Sequence, residues 1–147
     1  MNALMMKHSV YYEIEQTIGM DIPERGGVLG AGSDGCVIAY YFDQTGRSEP
    51  DAYVPDTEAI NKVLSKWHER GIHIVGIVHS HKSGLPFPSC GDIGYGMQIL
   101  GALDTTDRLY LPIVTRGESG MMMRAFVIDG RGKDRGKCRE TRIELVN

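Results

Sequence analysis

The chain has 147 residues, 24% of them charged and 41% apolar, and a formal net charge of −3. These values describe one globular domain, residues 1–147, large enough to bury a real core. They exclude the basic footprint of a nucleic-acid or anionic-membrane binder, and no apolar run approaches the roughly 18 residues that span a bilayer.

The first ten residues carry Lys7 and His8 without a sustained apolar run, so no secretory signal is expected. Val10, Ile14, Thr17 and Ile18 form a helical stripe over residues 9–19, which Gly19 stops. Glu24 follows between Pro23 and the pair Gly26-Gly27, ahead of a short strand around Val28 and Leu29. Residues 30–35 then match G-x-G-x-x-G letter for letter. A dinucleotide fingerprint must open a helix, whereas residues 36–42 are β-branched and aromatic and read as a strand, so these glycines are expected to form a hairpin turn. Residues 43–55 are polar, with Gly46, Pro50 and Pro55, and read as an exposed loop.

Asp56 or Thr57 caps the clearest helix, which runs to about Arg70 with Ile60, Val63, Leu64 and Trp67 on one face and Gly71 as terminator. Residues 72–78 read as a buried strand, residues 82–88 as a loop, and residues 90–103 as a second helix capped by Ser89. Strands are expected over 109–115 and 122–129, joined by residues 116–120, with Pro112 making the first an edge or bulged strand. A basic, glycine-rich turn over 130–136 leads to a final edge strand over 139–146. This order predicts an α+β fold, a three-layer α-β-α sandwich around a largely antiparallel, mixed sheet.

Chemistry concentrates in His79-Ser80-His81 and Ser89-Cys90-Gly91-Asp92, or H-x-H-x7-S-x2-D. Side chains two apart on a strand share a face, so His79 and His81 address one point and Ser80 faces away. Asp92 sits at the third position of the helix that Ser89 caps, where the consensus capping box has Glu or Gln; the shorter side chain is available for other work and is a candidate third ligand. Catalytic zinc sites typically keep three protein ligands and leave a fourth position for water. A general base is still required, and Glu24 is the upstream carboxylate considered for it.

At these residues the sequence resembles a known family. Glu24-x-Gly26-Gly27-x-Leu29-Gly30 followed by the histidine motif is similar to the JAMM (MPN-plus) metallopeptidases, which cut peptide or isopeptide bonds after ubiquitin and ubiquitin-like proteins. The resemblance spans residues 24–103 and implies an MPN-like, cytidine-deaminase-like architecture. It implies one zinc per chain held by His79, His81 and Asp92, with Glu24 as acid/base and Ser89 as donor to the oxyanion. Lys82 departs from the proline many members carry there, which puts the rim of the substrate groove in question. The expected function is a zinc-dependent isopeptidase or peptidase acting after the C-terminal tail of a ubiquitin-like protein, of compact prokaryotic type, with activating or conjugating enzymes as further partners. Two alternatives are a peptidase of a sulfur-carrier pathway trimming a small β-grasp protein, and a non-catalytic scaffold.

The remaining polar residues read as structural. His8, His68 and His73 have no spacing partners. Cys90 beside Ser89 is expected to be a small buried thiol rather than a spare ligand. Cys36, Cys90 and Cys138 are odd in number and scattered, which fits a reducing compartment, here the cytoplasm. Half of the Met121-Met122-Met123 run is expected to face the core, and the basic residues from Arg131 to Arg139 to form a solvated turn.

Overall fold

A computed structural model of the protein describes residues 3–19, 24–49, 52–81, 85–103 and 107–147. In chain order its elements begin with β1 (Ala3–Lys7), α1 (His8–Gln16), β2 (Gly26–Ala31), β3 (Val37–Phe42), β4 (Arg47–Glu49), β5 (Ala52–Val54) and α2 (Thr57–Glu69). They continue with β6 (His73–Ser80), α3 (Cys90–Ala102), β7 (Arg108–Tyr110), β8 (Ile113–Gly117), β9 (Gly120–Asp129) and β10 (Cys138–Val146). None of these helices is long and apolar enough to cross a membrane.

The sheet is mixed. β2 lies antiparallel between β3 and β6, β6 runs parallel to β7 and β8, and both of those pair antiparallel with β9. From β9 the pairing passes to β10, then to β1 and back to β3. Where the sequence predicts a three-layer sandwich with a final edge strand, the pairings describe a sheet closed on itself, with β10 flanked on both sides. The closure depends on β1, a strand with no β-branched residue that nonetheless buries Leu4 and Met6.

Two apolar cores divide along the strands. Val28 and Ile77 face the core that packs Ile60 and Trp67 of α2 and Leu100 of α3, while their neighbours Leu29 and Val78 face the one that packs Val10 and Ile14 of α1. The glycine-rich segment after β2 leads into β3 as an antiparallel partner, with no helix behind it. Pro112 splits the predicted strand over 109–115 into β7 and β8, because proline offers no ladder N–H. Met121 and Met123 pack against the α1 core and Met122 is exposed, the alternation a half-buried strand requires. In the basic turn Arg131 pairs with Asp107 and Lys137 with Asp134.

The segment over 43–55 departs most from expectation. It carries the small antiparallel hairpin of β4 and β5, and Asp43 at its start is fully buried.

At the end of α2 the Gly71 N–H donates to the His68 carbonyl and the Ile72 N–H to the Trp67 carbonyl, a Schellman closure that aims the chain into β6. Gly71 has φ +74° there. A β-carbon in that left-handed conformation costs about 1–2 kcal/mol. Gly71→Ala is therefore expected to lower unfolding stability by about 1 kcal/mol in urea denaturation, with no change in the cooperativity of the transition.

Candidate metal centre

The site is built where β6 ends. The His79 N–H donates to the Pro112 carbonyl and the His81 N–H to the Val114 carbonyl, so both residues stay in register beside β8. Both imidazoles then project to the same side, with Nε2 of His79 2.8 Å from Nε2 of His81. Asp92 meets them from the first turn of α3. Its Oδ1 lies 3.2 Å from Nε2 of His79 and its Oδ2 3.2 Å from Nε2 of His81. The same Oδ2 accepts from the Ser89 N–H at 2.8 Å while the Ser89 Oγ accepts from the Asp92 N–H at 3.1 Å. Asp92 thus closes the capping box and addresses the histidines at once; the capping position does not leave it free.

Burial makes this cluster electrostatically demanding. His79 is 4% exposed and His81 7%. Burial pulls the His81 imidazole down, but hydrogen bonds to Asp92 and the Leu85 carbonyl, with the charges of Asp92 and Glu24, leave it raised above its ordinary value. Burial likewise pushes the Asp92 carboxyl up, and its hydrogen bonds to His79 and His81 override this and hold it well below the usual carboxylate range. Both shifts favour positive charge at the point where a cation would sit.

Geometry and donor chemistry both fit zinc. Metal–ligand bonds of about 2.0–2.1 Å in a tetrahedron give ligand–ligand edges of about 3.3 Å; here the two Nε2 atoms are 2.8 Å apart, each is 3.2 Å from a different oxygen of Asp92, and one ligand atom from each residue lies within 4.8 Å of the others, so a small adjustment admits the ion. Two imidazoles and one carboxylate suit zinc and disfavour calcium or magnesium, which take oxygen ligands. Nδ1 of His81 faces the Leu85 carbonyl at 2.8 Å. Donation there leaves Nε2 as the bare nitrogen a metal needs.

Glu24 is buried, 8% exposed, and its charge is felt by His81. The backbone next to it is tied to Ser80, the residue the strand turns away from the histidines. The Ser80 hydroxyl accepts from the Arg25 N–H at 2.9 Å, and the Ser80 N–H donates to the Arg25 carbonyl at 2.8 Å. A serine on the opposite face of an H-x-H strand was the available sign of this clip, and spacing alone did not reveal it. Ser89 is exposed and uses its oxygen as acceptor, which leaves its O–H hydrogen to donate. Cys90, expected as a buried thiol, is exposed because it opens α3 on the solvent side. Lys82, and with it the question of the groove rim, lies outside the described residues.

A cleft of about 350 Å³, lined by His79 and Asp92, opens between Tyr53 and Pro55 on one side and Gly91 and Tyr95 on the other. An apolar cavity of about 270 Å³ under α2 and α3 shares Tyr53, Pro55, Ile77 and Tyr95 with it.

Residues 15–128 match the family described as prokaryotic homologs of the JAB domain. The chain belongs to that family. Among curated proteins no sequence matches it. A protein of Desulfitobacterium hafniense known from its solution structure superposes with a TM-score of 0.72 at 20% identity, over 97% of this chain and 92% of that one. The crystal structure of a JAB1/MPN domain protein from Archaeoglobus fulgidus gives 0.53 at 15% identity, over 98% and 100%. At such identities these likenesses speak for the fold alone. The JAB family holds peptidases as well as non-catalytic members, so its name leaves the chemistry to the residues of this site.

The two shifted groups set a pH window for metal-stripped protein. Asp92, lowered in the fold, contributes stability that is present above its unfolded value near ~4 and lost as pH falls through its folded value. His81, raised in the fold, contributes stability that is full below its unfolded value near ~6.5 and lost as pH rises through its folded value. Urea midpoints of EDTA-treated protein should thus peak between about pH 4 and 6.5, and Asp92→Asn should flatten both limbs.

Proposed function

We propose that this JAB domain is a zinc-dependent isopeptidase or peptidase that cleaves after the C-terminal tail of a ubiquitin-like protein. The observation that carries the reading is a convergent His79–His81–Asp92 triad, of which His79 and Asp92 line an open cleft, with the charge of the buried Glu24 acting on His81. A ligand set and a proton carrier occur together, as hydrolysis requires.

His79, His81 and Asp92 would hold the ion, which when bound polarises the scissile carbonyl and acidifies a water. Glu24 takes a proton from the attacking water and returns it to the departing amine, so that one proton is carried across each turnover. The Ser89 O–H donates to the oxygen that gains charge as the carbonyl carbon becomes tetrahedral. Among the described residues β5 pairs with β4 alone, and its Tyr53 and Val54 line the cleft. An extended tail added along that free edge would present its backbone to the site, the mode in which main-chain bonds give affinity and small side chains fit a narrow groove. The substrate is accordingly a protein with a flexible, extended C-terminus, consistent with a ubiquitin-like modifier or its conjugate.

Elemental analysis of purified protein is expected to find one zinc per chain, lost in the His79→Ala/His81→Ala double variant. Absence of zinc after reconstitution would sink the enzyme reading. Glu24→Gln should keep its zinc and lose turnover by at least ~100-fold on a ubiquitin-like protein extended at its C-terminus; near-normal turnover would remove Glu24 from the acid/base role.

A further inference from the structure

The two histidines are oriented differently. His81 is fixed by the hydrogen bond from its ring to the Leu85 carbonyl. Among the described residues His79 has no such bond at Nδ1; beyond Nε2, its partners are rings. The Tyr53 ring stacks on it with centroids 6.4 Å apart and planes 22° apart, and His81 meets it edge-on at 4.6 Å. A ligand imidazole without an outer hydrogen bond needs some other restraint on its plane.

Tyr53 is unusually well placed for that. It lies on a two-stranded hairpin, which by itself is marginal in water, yet its hydroxyl donates to Oδ2 of Asp43 at 2.6 Å. The same oxygen accepts from the Asp56 N–H at 2.9 Å, and the Asp56 side chain in turn caps α2. The Asp43 N–H donates to the Gly26 carbonyl at 3.0 Å, and Gly26 is the ladder partner of His79. Gly26 also makes room for the stack, since a β-carbon there would lie 2.4 Å from the Tyr53 ring. Asp43, Tyr53, Gly26 and His79 therefore form one closed circuit of contacts.

Packing alone does not account for the carboxylate in this circuit. Asp43 is fully buried, and its second oxygen has no hydrogen-bond partner among the described residues. An incompletely paired buried carboxylate is destabilising relative to an apolar residue of similar size. What the carboxylate supplies and an apolar residue does not is a directional hold on the phenol. Burial, with the hydrogen bond and charge of Asp43, pushes the Tyr53 phenol well above its ordinary value, so it remains a donor.

We propose that Tyr53, held by the buried carboxylate of Asp43, is the positioning residue for His79, its ring fixing the plane of the imidazole that faces the metal position. The proposal rests on the metal-binding reading of the triad. Neither Tyr53 nor Asp43 touches the reacting atoms; they act through His79.

The test is zinc affinity, measured by competition with a chromophoric chelator, together with the absorption spectrum of the cobalt-substituted protein and the melting temperature of the metal-free form. Tyr53→Leu is expected to weaken zinc binding about 10- to 100-fold and to alter the cobalt ligand-field bands, whereas Tyr53→Phe, which keeps the ring but loses its tie to Asp43, recovers part of the affinity. Asp43→Asn preserves shape and removes the charge that holds the phenol, and is expected to weaken binding no more than Tyr53→Phe does. A hairpin anchor with no role at the metal would lower the melting temperature and leave affinity and spectrum unchanged. Folded Tyr53→Leu binding zinc within about twofold of the parent, with the same cobalt spectrum, overturns the proposal; if that variant does not fold, parental affinity and spectrum in Asp43→Asn overturn it. Parent protein that binds no zinc overturns the metal-site reading itself, an outcome distinct from a parent that binds zinc and variants that match it.

Discussion

Two imidazole nitrogens 2.8 Å apart, each 3.2 Å from an oxygen of the same carboxylate, form a buried cluster that favours positive charge among them. In water each group would be hydrated separately; here the histidines are less than one-tenth exposed. Leaving such groups unpaired costs several kcal/mol, so their mutual contacts are a central constraint on the local structure. Much of the local architecture serves this requirement. β6 supplies two converging nitrogens by strand alternation, and α3 presents Asp92 in its first turn, where the positive helix end favours the anion.

The elements that meet there are distant in the chain, and backbone hydrogen bonds hold them together. Residue 25 is clipped to Ser80, which ties the backbone beside Glu24 to β6. The same strand thus uses one face for the two histidines and the other for holding the segment that carries Glu24. Gly26, directly across the ladder from His79, contributes by having no side chain. That gap admits an aromatic ring from the hairpin, and so joins the wall of the cleft to the ligand shell.

The local chemistry was legible in the sequence because it depends on short spacings: i and i+2 on a strand for the histidines, and a serine three residues ahead of an aspartate for the cap. The long-range closure was not. β10 reads as an edge strand from its own alternation, and only its parallel pairing with β1, Ala3 opposite Arg142, turns it into an interior one. β1 in turn lacks the β-branched residues that announce a strand. Asp43 was missed for a related reason. In a polar segment with glycine and prolines an aspartate signals solvent, and its burial comes from Tyr53 and Asp56, which lie ten and thirteen residues ahead. Cys90 failed the other way, a thiol expected inside that the first turn of α3 leaves outside.

On the proposed reading, Glu24 is the residue that would separate an enzyme from a scaffold. A fold kept only for binding gains nothing from a carboxylate buried at 8% exposure within electrostatic reach of His81, because burying a charge costs desolvation. Replacing it with a neutral residue would remove that cost, and the Ser80 clip would be untouched, since it grips the backbone of residue 25 and not the Glu24 side chain. On the proposed reading a dication held by the triad would offset its charge, and the carboxylate is useful there when a proton must be accepted and returned. The pairing of a neutralising site with a proton carrier is what hydrolysis demands of a metal centre, and it is the feature of this chain that simple stability does not require.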